Sequence, residues 1–228
     1  MKLSVVLGAA CLIAIVSAQP ALCGKLEAPA FPPIEGGVTT NDVAYSSSPP
    51  TISAYQKYGP IDRFDIFSIH DGTETFDYAI VGDGKMQSLN ILLPDPGRYR
   101  VRADGIDAVF VYDTGTPTSV IAPLIRRDCE DGGALLVSGT AASALSGVRV
   151  MNVAVARTDG KLLWWSGVEW TRTGTWLLAS GRDSWEIRLP HDFKKGGDAI
   201  HVFASALSNA MSRESPHDAM LQIPPECP

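Results

Sequence analysis

The chain has 228 residues, 45% of them hydrophobic and 19% charged, with 21 glycines and 16 prolines. That length holds one large or two small domains, each able to bury a core without metal or cofactor, and the punctuation suits short strands and turns rather than helices. A formal charge of −6 with no cluster of Lys and Arg argues against nucleic acid and anionic membrane surfaces as partners.

The first feature in chain order is an export signal. Lys2 supplies its charge, Leu3 to Val16 its apolar run, and Val16-Ser17-Ala18 a small-residue cleavage site before Gln19. Residues 1–18 are therefore expected to be removed, leaving 18 Lys and Arg against 25 Asp and Glu, a charge of −7. The run is shorter than the ~20 apolar residues of a spanning helix and no second candidate follows, so the expectation is no membrane span. The expected location is secreted or extracytoplasmic, in the periplasm or at the cell surface. Pro20-Ala21-Leu22 before Cys23 lacks the branched and small residues expected ahead of a lipidated cysteine.

Residues 19–53, with "EAPAFPPIEGGVTT" and "YSSSPPT", are rich in Pro, Ser, Gly and Thr and show no period. They read as a flexible, disordered leader. Then "DRFDIFSIH", "ETFDYAIVG", "MQSLNILLP", "GRYRVRAD" and "AVFVYD" alternate or run apolar between the turns "DGT", "GDG" and "PDPG". A second series follows: "ALLVSGT", "GVRVMNVAVAR", "KLLWWSG", "TWLLASG", "WEIRLP" and "AIHVFASA". Pro117 and Pro123 fall between the two, where proline marks an edge or a linker. The predicted fold is all-β, with two tandem sandwich domains over residues 54–115 and 118–228.

Three cysteines follow the signal, Cys23, Cys129 and Cys227, in a compartment where disulfides persist. Cys129 and Cys227 bracket the C-terminal half, so a bridge between them is expected, with Cys23 left over. Metal binding is the weaker reading, because no CxxC and no His at ligand spacing accompanies them. No metal and no cofactor is expected.

The stretch "LLVSGTAASALSGVRVMNVAVARTDGKLLWWSGVEWTRTGTWLLASGRDSWEIRLP" resembles the bacterial Ig-like domain family, the tandem modules of exported surface and adhesin-type proteins. The likeness is carried by Ser138 to Ala141, Ser146 to Val148, Val153 to Val155, the Trp164 to Trp176 hairpin, and Trp185 with Leu189-Pro190. "GRYRVRADGIDAVFVYDTGTPT" is similar to the last strand of one module and its linker to the next, so the resemblance spans about residues 97–213 and implies tandem Ig-like modules. Ala142 and Ser143 stand where the family often has Asp, and Ala206 and Ser208 where it has an acid and a glycine. Those departures carry over no junction metal site.

Every tryptophan lies between Trp164 and Trp185. Alternation sends Trp164 and Trp165 to opposite faces of a strand, and places Trp185, Ile187 and Leu189 together on a buried face. One reading makes the rings scaffold, with Trp185 and one of the adjacent pair in the core and the others stacked along the hairpin. The other makes Trp165, Trp170 and Trp176 an exposed strip that stacks on sugar rings.

Catalytic patterns are thin. His70, His191 and His217 are each followed by Asp in turn-like contexts, and His201 lies on a strand, with no nucleophile elbow nearby. Asp62 with Asp65, or Asp128 with Glu130 and Asp131, are the carboxylates an acid/base pair would draw on, and the second group, beside two arginines, reads as a charged inter-strand turn. The expected function is a secreted, non-catalytic surface, adhesion or matrix-interaction module whose partner is an extracellular protein or glycan; the alternative is carbohydrate binding through the second domain's tryptophans.

Overall fold

The computed structural model describes residues 38–40, 43–48, 51–52, 63–81, 89–90, 93–103, 106–158, 161–190 and 198–227. The export signal, Cys23, Asp62 and His191 lie outside the described residues. The described chain is all-β. It runs through β1 (Val38–Thr40), β2 (Val43–Ser46), β3 (Thr51–Ile52), β4 (Arg63–His70), β5 (Thr73–Val81), β6 (Leu89–Asn90), β7 (Gly97–Ala103) and β8 (Ile106–Tyr112). There follow β9 (Thr118–Ile121), β10 (Arg126–Asp128), β11 (Ala134–Ala142), β12 (Val148–Thr158), β13 (Leu162–Trp165) and β14 (Trp170–Thr171). The last are β15 (Leu177–Leu178), β16 (Ser180–Gly181), β17 (Ser184–Leu189), β18 (Ala199–Ser208) and β19 (His217–Gln222).

A six-stranded sheet has the order β1-β2-β8-β7-β4-β5, and β3 pairs with β6 apart from it. Asp71 and Gly72 both have positive φ, 48° and 78°, which matches the twist of a two-residue hairpin joining β4 to β5. In β7, Tyr99 and Val101 are buried with Phe64, Ile66 and Phe110, while Arg98, Arg100 and Arg102 take the opposite face by alternation. Glu74 accepts from Arg100 and, at 2.9 Å, from Arg102, so the arginines of that face are partly neutralised by a carboxylate from β5, which lies beyond β4 in the sheet.

One expectation needs correction. The leader is not structureless as far as residue 53, because β1, β2 and β3 lie within it. β2 pairs in parallel with β8, setting Val43 beside Val109 and Tyr45 beside Val111. Parallel pairing joins strands remote in sequence, and a four-residue strand carries too short a pattern to stand out from its polar surroundings.

The C-terminal strands form a sandwich. One sheet runs β10-β11-β17-β16 with β9 on the same edge of β11 as β10; the other runs β14-β13-β12-β18-β19 with β15 beside β12. Their inner faces share one core that includes Leu135, Val137, Met151, Val153, Val155, Trp185, Leu189, Ile200 and Val202. β17 alternates as its sequence requires, with Trp185, Ile187 and Leu189 buried between outward Ser184, Glu186 and Arg188. Trp185 pairs across the ladder with Gly139, and its Nε1 donates to the Thr140 carbonyl at 3.2 Å. A Cβ on Gly139 would lie 2.3 Å from the indole and 2.0 Å from the Val120 carbonyl oxygen, so the Ser-Gly-Thr-Ala strand needs glycine there to admit the ring.

Cys129 and Cys227 are joined by a disulfide that closes 98 residues of sequence separation. Beside it, the Arg127 guanidinium donates to the Gly133 and Pro224 carbonyls at 3.0 and 3.1 Å, so the C-terminal tail is tied to the β10–β11 hairpin twice.

Candidate functional site

The tryptophan hairpin is built by β13, β14 and the turn between them. The Ser166 amide donates to the Glu169 carbonyl at 2.9 Å, and the Ser166 hydroxyl accepts from the Glu169 amide at 3.0 Å, closing the turn. Trp165 and Trp170 pair across the ladder and meet edge to face, centroids 5.6 Å apart at 62°. Trp165 is 8% exposed and belongs to the sandwich core, and Trp170 packs against that core half-buried.

β12 carries Met151, Val153 and Val155 on its core-facing row, and the next position in that row is Arg157. A guanidinium cannot follow the valines inward, so it emerges at the end of the core and lies over Trp170, 4.3 Å from the ring centroid. Arg157, Trp165, Val168, Glu169, Trp170 and Arg188 line a cleft of about 700 Å³. Its walls offer apolar ring surface, two cations and one carboxylate. Arg188 also bonds Asp128 at 3.3 Å and Asp131.

The three tryptophans singled out from the sequence do not form one strip. Trp165 and Trp170 share a face, but Trp176 packs on the opposite side of the sheet against Ala154, Ala156, Trp164 and Phe203. The expectation that one of the adjacent pair faces outward holds for direction and fails for exposure. Trp164 leaves the core face yet is only 5% exposed, its ring 5.5 Å from Phe203 and covered by the half-buried Trp176. A second, smaller aromatic cluster on the outer face absorbs it.

Sequence reading missed Arg157, Glu169 and Arg188. Arg157 had a usable signal, since a charged residue ending an otherwise apolar period-two row marks the rim of a core. Glu169 and Arg188 reach the cleft only through the turn and a strand end, which no local period reports.

A second polar cluster surrounds Glu214. Glu214 accepts from the Ser119 amide at 2.8 Å, the Ser119 hydroxyl at 2.6 Å and the Ala206 amide at 3.0 Å, and His217 Nδ1 lies 3.5 Å away. The carboxylate sits between serine and imidazole and is spent on two backbone amides, so it staples β9 to β18 instead of activating the hydroxyl. Asp65 pairs with Arg63 at 2.7 Å, and His70 is exposed at its hairpin. Among the described residues no three His, Cys, Asp or Glu side chains converge in a way that could hold a metal ion. No described helix is long and apolar enough to cross a membrane.

No family model matches the chain, and no curated protein matches it. Among solved structures, it is similar to the fibronectin(III)-like modules of Clostridium thermocellum CbhA at 11% identity, covering 81% of this chain and 90% of that one with a TM-score of 0.33. It is similar also to the FN1-FN3 domains of chicken CNTN1 at 13% identity, covering 86% and 66% with a TM-score of 0.35.

Proposed function

We propose that this chain is an exported, non-catalytic β-sandwich protein with two tandem modules, divided near residues 115–118, that serves as a surface, adhesion or matrix-interaction module. The observation that carries the reading is the burial of the indoles. Trp164, Trp165 and Trp185 are each at most 8% exposed, and Trp170 and Trp176 pack half-buried against two separate clusters. Rings committed in that way support a rigid scaffold that presents its surface to an extracellular protein. The disulfide fits an oxidising compartment. Two hydrophobic clusters with no shared member, one drawn from residues 64–110 and one from 121–223, support the division.

A second reading assigns the Trp165–Trp170 cleft to a glycan, with Trp170 and Arg157 as the contact. The open cleft and its half-buried ring favour it. Affinity electrophoresis through gels cast with soluble polysaccharides separates the two. The scaffold reading expects no retardation by any polysaccharide. Retardation by one sugar class that Trp170→Ala abolishes, without loss of thermal stability, establishes the glycan reading instead. Export is tested separately by sequencing the N-terminus of the chain recovered outside the cytoplasm, where Gln19 is the expected first residue; a start at Met1 with reduced cysteines contradicts it.

A further inference from the structure

Between the two hydrophobic clusters the chain passes through "VYDTGTPT", and the charged residue there is almost wholly buried. Asp113 is 1% exposed. Its backbone amide donates to the Ser46 carbonyl of β2 at 2.9 Å, extending the pairing of the first sheet by one step. Its side chain turns the other way. Oδ1 accepts from the Gly115 amide at 2.8 Å, and Oδ2 accepts from the Ser146 amide at 2.9 Å and the Ser143 hydroxyl at 3.2 Å.

The receiving turn is itself anchored. The Asn209 side-chain amide donates to the Ser146 carbonyl at 2.7 Å, and the Asn209 backbone amide donates to the Gly147 carbonyl at 3.0 Å. A continuous run of bonds therefore leads from β2 through Asp113 and the Ser143–Gly147 turn to the end of β18. A carboxylate this buried without a cation needs several donors to be tolerated, and here two amides and a hydroxyl converge on it. A flexible linker has no use for such a group, since linker side chains face water.

We propose that Asp113 is a clasp that fixes the orientation of the N-terminal module against the C-terminal one, so that the two present their surfaces as a single rigid body. The clasp rests on the two-module division proposed above. It needs no metal: its donors are amides and a hydroxyl, where a cation site would need further oxygen ligands.

The test is ¹⁵N relaxation of the full chain, comparing rotational correlation times for amides in 63–112 with those in 121–223, in the parent and in Asp113→Asn. The variant keeps the shape of the side chain but turns one acceptor oxygen into a donor that faces other donors. The parent is expected to show one shared correlation time. Asp113→Asn is expected to split it into two shorter ones, with chemical shifts unchanged except near 113–115 and 143–147. Ser143→Ala, which removes the longest of the bonds to Asp113 together with the 3.1 Å contact between the Ser143 and Ser146 hydroxyls, is expected to act in the same direction more weakly, and it serves if Asp113→Asn does not fold. A parent whose halves already tumble separately, or variants whose folded halves keep one shared time, overturns the clasp. Loss of folded dispersion in both halves together, also in Ser143→Ala, overturns the two-module division on which it rests.

Discussion

Gly139 has no room for a side chain, because the face of Trp185 and the Val120 carbonyl already occupy the space. Gly139→Ala must push the indole out of the core or break β11 from β9, and the expected cost is at least the ~1–3 kcal/mol of an overpacked core site, read by urea denaturation. Asp113 gives a pH dependence of defined sign. Burial by itself raises its pKa, but the bonds from Ser146, Gly115 and Ser143 outweigh that and hold it below the ordinary 3.8. A carboxylate with a depressed folded pKa stabilises the fold above its unfolded value and loses that contribution as pH falls through the folded one. The stability gap between the parent and Asp113→Asn is therefore expected to be constant from neutrality down to about pH 4 and to shrink below it. A gap that widens in acid contradicts the assignment. At this scale alternation was a sound guide: Trp185, Ile187 and Leu189 face inward as their spacing demands. It could not show that Trp164 is covered, because the covering ring, Trp176, arrives from another part of the chain.

One element that the sequence left unread, β2, has a distant partner. β2 is four residues long and gains its place from parallel pairing with β8, so Val43 and Tyr45 carry no sign of it in their own neighbourhood. β11, β12 and β18 are nine to eleven residues long with apolar periodicity, and their existence was legible from the outset. The C-terminal tail, like β2, has distant partners. Among the described residues it has no strand after β19, and it is held by Ile223 in the core, by Arg127 and by the Cys129–Cys227 bond. Replacing both cysteines by serine is expected to lower stability by about 2–5 kcal/mol, since a loop near a hundred residues long gains much from closure. Thermal melts with and without reductant check this: the parent should fall on reduction and the double variant should not respond. A parent indifferent to reductant shows that the tail is held by packing alone.

At the scale of the molecule, an all-β chain with a β-sandwich in its C-terminal half follows from the strand pattern and is what the sheets display. The cleft was legible only in part. Trp165 and Trp170 stood out by residue type, whereas Arg157, Glu169 and Arg188 reach it from three different elements. The contacts of Asp113 were not legible, since "VYDTGTPT" reads as a linker and its aspartate gains meaning only when the Ser143–Gly147 turn folds against it. The proposed function depends most on whether the indoles are scaffold or contact surface. Tryptophan emission of the folded chain, with acrylamide quenching and titration with soluble polysaccharides, tests this most directly. Scaffold indoles are expected to give a blue-shifted maximum, weak quenching and no response to any glycan, with Trp170→Ala and Trp176→Ala both melting lower. A red-shifted, readily quenched component that moves with one sugar class, and is lost in Trp170→Ala at unchanged melting temperature, contradicts the scaffold reading and makes the cleft a carbohydrate site.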